Sequence, residues 1–232
     1  MIINTSQEQI IINPDASGYP KNKIGIKLSG GADSSILCYM LYKHAVEHGK
    51  KLVPMTVVHG LKPTNLIYAR KVYWWMVKHF GENVWHEEHF TAHSHGPDYT
   101  TVSEDLENTL FDNGTIDIMY SGITANPPRE VWLKFKGVGN GGTDTDLSVP
   151  GGLPDSRDRT DKPKQTVHGN NVFPFKNIDK KGIAELYDHF GVTDTLFPIT
   201  RTCEDYGNDP DDVQHCGECV WCEERRWGFG KL

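Results

Sequence analysis

The chain has no run approaching the ~18 apolar residues that a membrane-crossing helix needs, so a helical membrane protein is not expected. Its first residues, MIINTSQEQIIINPD, lack the basic start and long apolar stretch of a secretory signal. The expected location is the cytoplasm. Positive charge is short as well: 24 Lys plus Arg stand against 31 Asp plus Glu in 232 residues, a formal charge of -7. Broad binding to DNA relies on clustered cations that release phosphate counterions. No stable nucleic acid partner is therefore expected, no membrane partner either, and a small substrate is favoured. Hydrophobic residues make up 37% of the chain, which argues against disorder throughout and for one globular domain. Cysteine is scarce, yet four of the five (Cys203, Cys216, Cys219 and Cys222) fall within the last 30 residues. A disulfide framework would spread them, whereas clustered thiols in a reducing compartment more often hold a metal. Cys38, alone upstream beside Leu37, reads as a small core residue.

What is present alternates strand and helix patterns. Residues 1–22 mix short apolar patches with polar residues and turn formers and read as a loosely packed extension with at most an edge strand. Residues 24–28 form a short strand pattern, followed by a Ser/Gly cluster and by Ile36, Leu37, Met40, Leu41 and Ala45 at helical spacing, with Gly49 as a stop. A second strand is expected over 52–58, a second helix from Leu66 to Phe80, a third strand over 83–90, a weaker helix over 102–111 and a strand over 116–123. This alternation predicts an α/β fold with a doubly wound, mainly parallel sheet. Residues 126–171, apart from an apolar patch at 131–135, are rich in Gly, Pro, Asp, Thr and Arg. The stretch far exceeds an ordinary connection of about 4–6 residues, so a surface insertion and a substrate-closing lid both stay open. Arg129, Arg157 and Arg159 within it could meet a carboxylate or phosphate. Helical spacing resumes over 179–190.

The run Ser29-Gly-Gly-Ala-Asp-Ser-Ser35 lies between a predicted strand and a predicted helix. Glycines allow a tight turn there, and backbone N–H groups without partners at a helix start can cradle an anion. Asp33 would repel phosphates unless a divalent cation such as Mg2+ lay between them; a plain helix cap built from Ser and Asp is the bland alternative. The run resembles the SGGxDS signature of the PP-loop ATP pyrophosphatases, and no Gly-Lys-Ser/Thr follows to make it a Walker A loop. The resemblance implies cleavage of ATP between the α and β phosphates, with AMP attached to a substrate oxygen. Ser29, Gly30, Gly31, Asp33 and Ser34 match the pyrophosphate-binding positions, Ser35 extends that set, and His59-Gly60 after the second strand lies near the adenosine.

At the other end, Cys216-Gly-Glu-Cys219-Val-Trp-Cys222, with twelve residues separating it from Cys203, offers with that cysteine four thiolates to one tetrahedral Zn2+. An iron–sulfur cluster and a redox CxxC pair are the competing readings. The tail is similar to the C-terminal signature of the 7-cyano-7-deazaguanine synthases, in which a four-cysteine zinc site runs into CxxR and a closing Gly-Phe, matched here by Arg225, Gly228 and Phe229. Pro174-Phe175, with Lys180 six residues after the proline, is similar to that family's Pro-Leu segment and downstream lysine. The resemblance implies three parts: an N-terminal extension (1–22), a PP-loop ATP-binding domain (23–198) and a zinc-binding segment (199–232). It also implies ATP, Mg2+ and Zn2+ as cofactors, with Asp33, Ser34 and Lys180 carrying the chemistry. A 7-deazapurine acid and ammonia would be the reactants, and a homodimer stays open. The family's Tyr-Pro-Asp-Cys-Arg run is missing from its usual place. Leu153-Pro-Asp-Ser-Arg157 echoes it further along, with Ser156 where cysteine is expected. The nucleotide chemistry thus carries over more directly than the identity of the acid. Adenylation of a tRNA base for sulfur transfer and a zinc-stabilised nucleotide-binding module without catalysis are the alternatives.

Overall fold

In the computed structural model, which describes residues 1–59, 64–81, 84, 88–95, 98–135, 157, 166–203 and 215–232, the short apolar runs become strands of two sheets. β1 (Ile2–Asn4) and β2 (Gln9–Ile11) pair antiparallel. The larger sheet holds β3 (Lys23–Lys27), β4 (Lys51–His59), β5 (Phe90–Ser94), β6 (Ile118–Tyr120), β7 (Thr166–His168) and β8 (Asn171–Phe173). Its spatial order is β5-β4-β3-β6-β8-β7, with every pairing parallel except that of β7 with β8. The doubly wound, mainly parallel α/β fold is therefore as expected.

Side chains of successive strand residues point to opposite faces, and the sequence uses both. Ile24, Ile26, Leu28 and Leu52 join the core beneath α1 (Ala32–His48), α2 (Asn65–Phe80) and α5 (Lys180–His189). Val53, Met55 and Val57 of β4 form a second core with Leu110 of α3 (Tyr99–Asp112), Ile116 and Met119. Full burial of each such side chain contributes about 1.5–3 kcal/mol before ordering entropy is subtracted. Gly49 ends α1 in the left-handed region at φ 63°, its N–H donating to the Ala45 carbonyl. The chain runs outward from β3 through β4 to β5 and returns to lay β6 on the other side of β3. The loops after β3 and β6 consequently diverge, and a crevice opens at their carboxyl ends.

Two expectations need correction. Residues 1–22 are not loosely packed: Ile3, Ile10 and Ile12 are buried in the same core as Ile24, and Gln7 exchanges two hydrogen bonds with Asp179. Three isoleucines are enough when a two-stranded pairing turns them to one side. The third strand runs from Phe90 to Ser94, downstream of the expected 83–90. As an edge strand with half-exposed side chains it carries little apolar pattern. Within 126–171 the apolar patch at 131–135 meets α4 (Arg129–Trp132), which buries Trp132 completely against Phe135 and Val220, and β7 and β8 form a hairpin. Residues 136–156 and 158–165, and with them the lid expectation and Arg159, lie outside the described residues.

Candidate functional site

β3 delivers Ser29 to the crevice, and the chain turns through Gly30 into α1. Gly30 sits at φ 78°, and a Cβ there would lie 2.4 Å from Tyr68 Cβ and 2.5 Å from the Ala69 nitrogen, so only glycine fits against α2. Gly31 occupies the N-cap of α1 and brings no side chain to it. The first N–H groups of a 17-residue helix are thus left without a side-chain cap. The serines organise the turn: Ser34 Oγ accepts from the Ser29 N–H (3.2 Å) and lies 3.0 Å from Ser29 Oγ, while Ser35 Oγ donates to the Gly31 carbonyl (2.7 Å). Across the switch point, Gly122 after β6 comes so near α1 that a Cβ would be 3.0 Å from the Ser34 nitrogen.

The resulting cleft has a volume of about 460 Å³, and Lys27, Ser29, Asp33, Tyr99, Arg201 and Cys203 are among its lining residues. That size suits a small ligand. Asp33 Oδ2 is ion-paired with Lys180, the first residue of α5, whose N-cap Asp179 accepts from the Lys181 N–H. Asp33 Oδ1 is buried and has no hydrogen-bond partner among the described residues. An orphaned carboxylate oxygen beside an uncapped helix start is the donor a divalent cation takes when it bridges to phosphates, so the residues present fit Mg2+ and an anion. The structure thus brings Ser29, Gly30, Gly31, Asp33, Ser34, Ser35 and Lys180 together. His59 closes β4, paired in register with Ser94, and Gly60 lies outside the described residues.

Sequence reasoning missed two members of this neighbourhood. Arg201 lines the cleft and its N–H donates to the Gly30 carbonyl (3.0 Å), tying the segment before the cysteines to the glycine turn. Glu224 of α6 (Val220–Phe229) is completely buried and ion-paired with Arg157. Glu-Glu-Arg-Arg reads as a solvated charge run, so nothing local signals which glutamate turns inward. Arg157 is engaged within the protein: beyond Glu224, its guanidinium donates to the Thr124 carbonyl (3.2 Å) and the Ala125 carbonyl (3.0 Å).

The C-terminal sulfur atoms form a second centre. One Sγ from each of Cys203, Cys216, Cys219 and Cys222 lies within 4.8 Å of the others, with Cys216–Cys222 and Cys203–Cys219 both at 3.8 Å. Backbone N–H groups of Glu218 and Cys219 point at Cys216 Sγ (3.4 and 3.2 Å), and that of Cys216 at Cys203 Sγ (3.4 Å). Donation from the Cys219 and Cys222 thiols, with that backbone N–H, pulls the Cys203 pKa down and favours its thiolate. Four sulfur atoms so arranged, with donors that stabilise anionic sulfur, fit a metal ion. Arg225 supports the segment: it donates to Thr200 Oγ1 (2.9 Å) and the Phe197 carbonyl (3.1 Å) and covers the Phe197 ring at 3.7 Å. Burial lowers its pKa to about 10, which keeps it a cation at neutral pH.

No protein-family model matches the chain, and no curated protein matches it. Among solved structures it is similar to the U34-tRNA thiolase NcsA from Methanococcus maripaludis with its [4Fe-4S] cluster. The TM-score is 0.46 and the identity 13%, over 91% of this chain and 67% of that one.

Proposed function

We propose that the protein is an ATP-dependent carbon–nitrogen ligase of the 7-cyano-7-deazaguanine synthase type, built on a PP-loop nucleotide site. The observation that carries the reading is the meeting, at one switch-point crevice, of an uncapped helix start, paired serine hydroxyls, the unpartnered Asp33 Oδ1 and the Lys180 cation. In this reading a carboxylate oxygen of 7-carboxy-7-deazaguanine, or a related 7-deazapurine acid, attacks the α-phosphorus of ATP. The bond to the β-phosphate oxygen breaks and pyrophosphate leaves with the electron pair. The N–H groups of the Gly30–Ser34 turn hold that leaving group, and Lys180 offsets charge on the α-phosphate. Asp33 would hold Mg2+, which supplies further charge neutralisation when bound. Ammonia then attacks the acyl carbon, loses a proton and displaces AMP to leave an amide. A second activation through the amide oxygen, with loss of AMP and two protons, gives a nitrile. The protein contributes position and charge, with no covalent enzyme intermediate.

The four thiols are assigned to one structural zinc. A regular tetrahedron with Zn–S bonds of about 2.3 Å has sulfur–sulfur edges of about 3.8 Å, the value of two edges here. A four-iron cluster attaches each thiolate to a different iron and spreads the sulfurs farther apart. A second reading, adenylation of a tRNA base followed by sulfur transfer, draws on one feature: Cys203 lines the cleft. The test incubates the protein with ATP, Mg2+, ammonium and 7-carboxy-7-deazaguanine and separates products by mass. The expected result is one AMP and one pyrophosphate per amide formed, or two of each per nitrile. A parallel reaction supplies ATP, Mg2+, tRNA and sulfide in place of the acid and ammonium: sulfur appearing in that tRNA would favour the second reading, and no pyrophosphate from either reaction would mean a non-catalytic module.

A further inference from the structure

We propose that Glu224 is a positioning residue for the nucleotide site, holding Lys180 and Arg157 in place from the helix that starts at the thiol cluster. The inference rests on the reading of the crevice as an ATP site. A glutamate with 0% of its side chain exposed is unusual unless paired, and Glu224 has two partners. Its Oε1 is ion-paired with Arg157, and its Oε2 lies 3.5 Å from Arg157 Nη1 and 4.0 Å from Lys180 Nζ. Lys180 in turn pairs with Asp33. Asp33, Lys180, Glu224 and Arg157 thus form a row of alternating charge leading from the phosphate turn into the interior. Their side chains are 19%, 4%, 0% and 11% exposed.

The placement of Glu224 depends on how α6 begins and how closely it packs. Cys219 is the N-cap of α6 and Cys222 lies in its first turn, so two of the four thiols define where the helix starts. One turn beyond Glu224, Gly228 faces α5, and a Cβ there would lie 2.4 Å from Lys180 Cβ and 2.9 Å from the Lys180 carbonyl. α6 therefore meets Lys180 twice, once through the charge of Glu224 and once through the missing side chain of Gly228.

This arrangement solves a conflict at Asp33. The carboxylate that would hold Mg2+ is also the ion-pair partner of Lys180, and a buried ammonium with one partner does not release it cheaply. Glu224 gives Lys180 a second anion, so Asp33 can turn to a metal without stranding a buried cation. Without the Glu224 charge, Lys180 is left with Asp33 as its ion-pair partner among the described residues and competes harder with Mg2+.

The test uses the zinc-loaded full chain carrying Glu224→Gln, with pyrophosphate release followed as a function of Mg2+. The expected result is a half-saturating Mg2+ concentration raised about tenfold and a lower kcat, with zinc content unchanged. A role confined to the fold would lower thermal stability and zinc content and leave the Mg2+ dependence of the folded fraction at the wild-type value; that result overturns the proposal. Should Glu224→Gln fail to fold, Glu224→Asp keeps the charge but withdraws it by one methylene. A raised Mg2+ requirement supports the proposal there, and an unchanged one overturns it. ATP binding by the wild type, measured by calorimetry, separates the two levels. Normal wild-type turnover with a normal Glu224→Gln variant overturns this inference alone, whereas a wild type that binds no ATP overturns the crevice reading and the inference with it.

Discussion

Gly30→Ala probes the glycine turn where shape alone can be calculated. The backbone at Gly30 has φ 78°, and a non-glycine residue in the left-handed region costs about 1–2 kcal/mol. The added Cβ would also sit 2.4 Å from Tyr68 Cβ, 2.5 Å from the Ala69 nitrogen and 2.5 Å from the Tyr68 carbonyl carbon. These atoms belong to the frame of α2, so no rotamer change relieves the overlap, and the turn must retreat by about 1 Å to restore ordinary contact. Overpacking of this kind costs about 1–3 kcal/mol more. The expected total is about 2–5 kcal/mol, read as a lower urea midpoint with an unchanged slope. The retreat also displaces the N–H groups that would face the phosphates, and a misplacement of about 1 Å costs on the order of 100-fold in turnover. Gly49→Ala is the control: it too has positive φ, 63°, but nothing lies within 4 Å of its added Cβ. It should lose only the backbone contribution and keep full turnover. If Gly30→Ala is no less stable than Gly49→Ala and remains equally active, the close packing of the turn against α2 is wrong.

Asp33→Asn and Ser29→Ala should each abolish pyrophosphate release while leaving a folded protein by circular dichroism, since neither belongs to the hydrophobic cores; near-normal turnover in both would remove the nucleotide assignment. Cys219→Ser should lower metal content and melting temperature together, because binding energy at a structural metal site is also folding energy. Elemental analysis finding iron with visible absorbance, or no metal in well-folded wild type, would refute the zinc assignment. Burial and then repulsion from His48, the N-terminal amine and Lys50 hold the His44 pKa down at about 4, against 6.5 unperturbed, with Asp15 opposing. The unfolded chain therefore takes up a proton that the folded chain rejects. The contribution is fully present above pH 6.5 and is lost as pH falls towards 4, at about 1.2 kcal/mol per pH unit near pH 5. Urea titrations at several pH values should show this slope in wild type and its loss in His44→Phe; equal slopes would exclude His44 as the cause.

Part of the site was legible because its signals are local. The strand, glycine turn and helix over residues 23–49 follow from alternation, φ demands and helical spacing within a single stretch, and the overlapping CxxC units confine three sulfurs to one neighbourhood whatever the rest of the chain does. The order of elements also implied a mainly parallel sheet, since parallel neighbours need a crossover connection and a helix supplies one. The edge strand β5 was misplaced because a half-exposed strand carries little hydrophobic pattern. The N-terminal hairpin was misread because a few isoleucines gain their burial only from a core built elsewhere in the chain.

The sequence by itself thus determined the fold class, the glycine-rich turn and the thiol cluster, all of which rest on the chemistry of neighbouring residues. Only the tertiary structure decided which charges are interior. Lys180 lies 147 residues from Asp33, and Glu224 lies 67 from Arg157. A charged side chain is buried when a partner of opposite sign arrives to offset its desolvation, and that partner comes from the packing of α5 and α6 against the turn, not from the side chain's own neighbours in sequence.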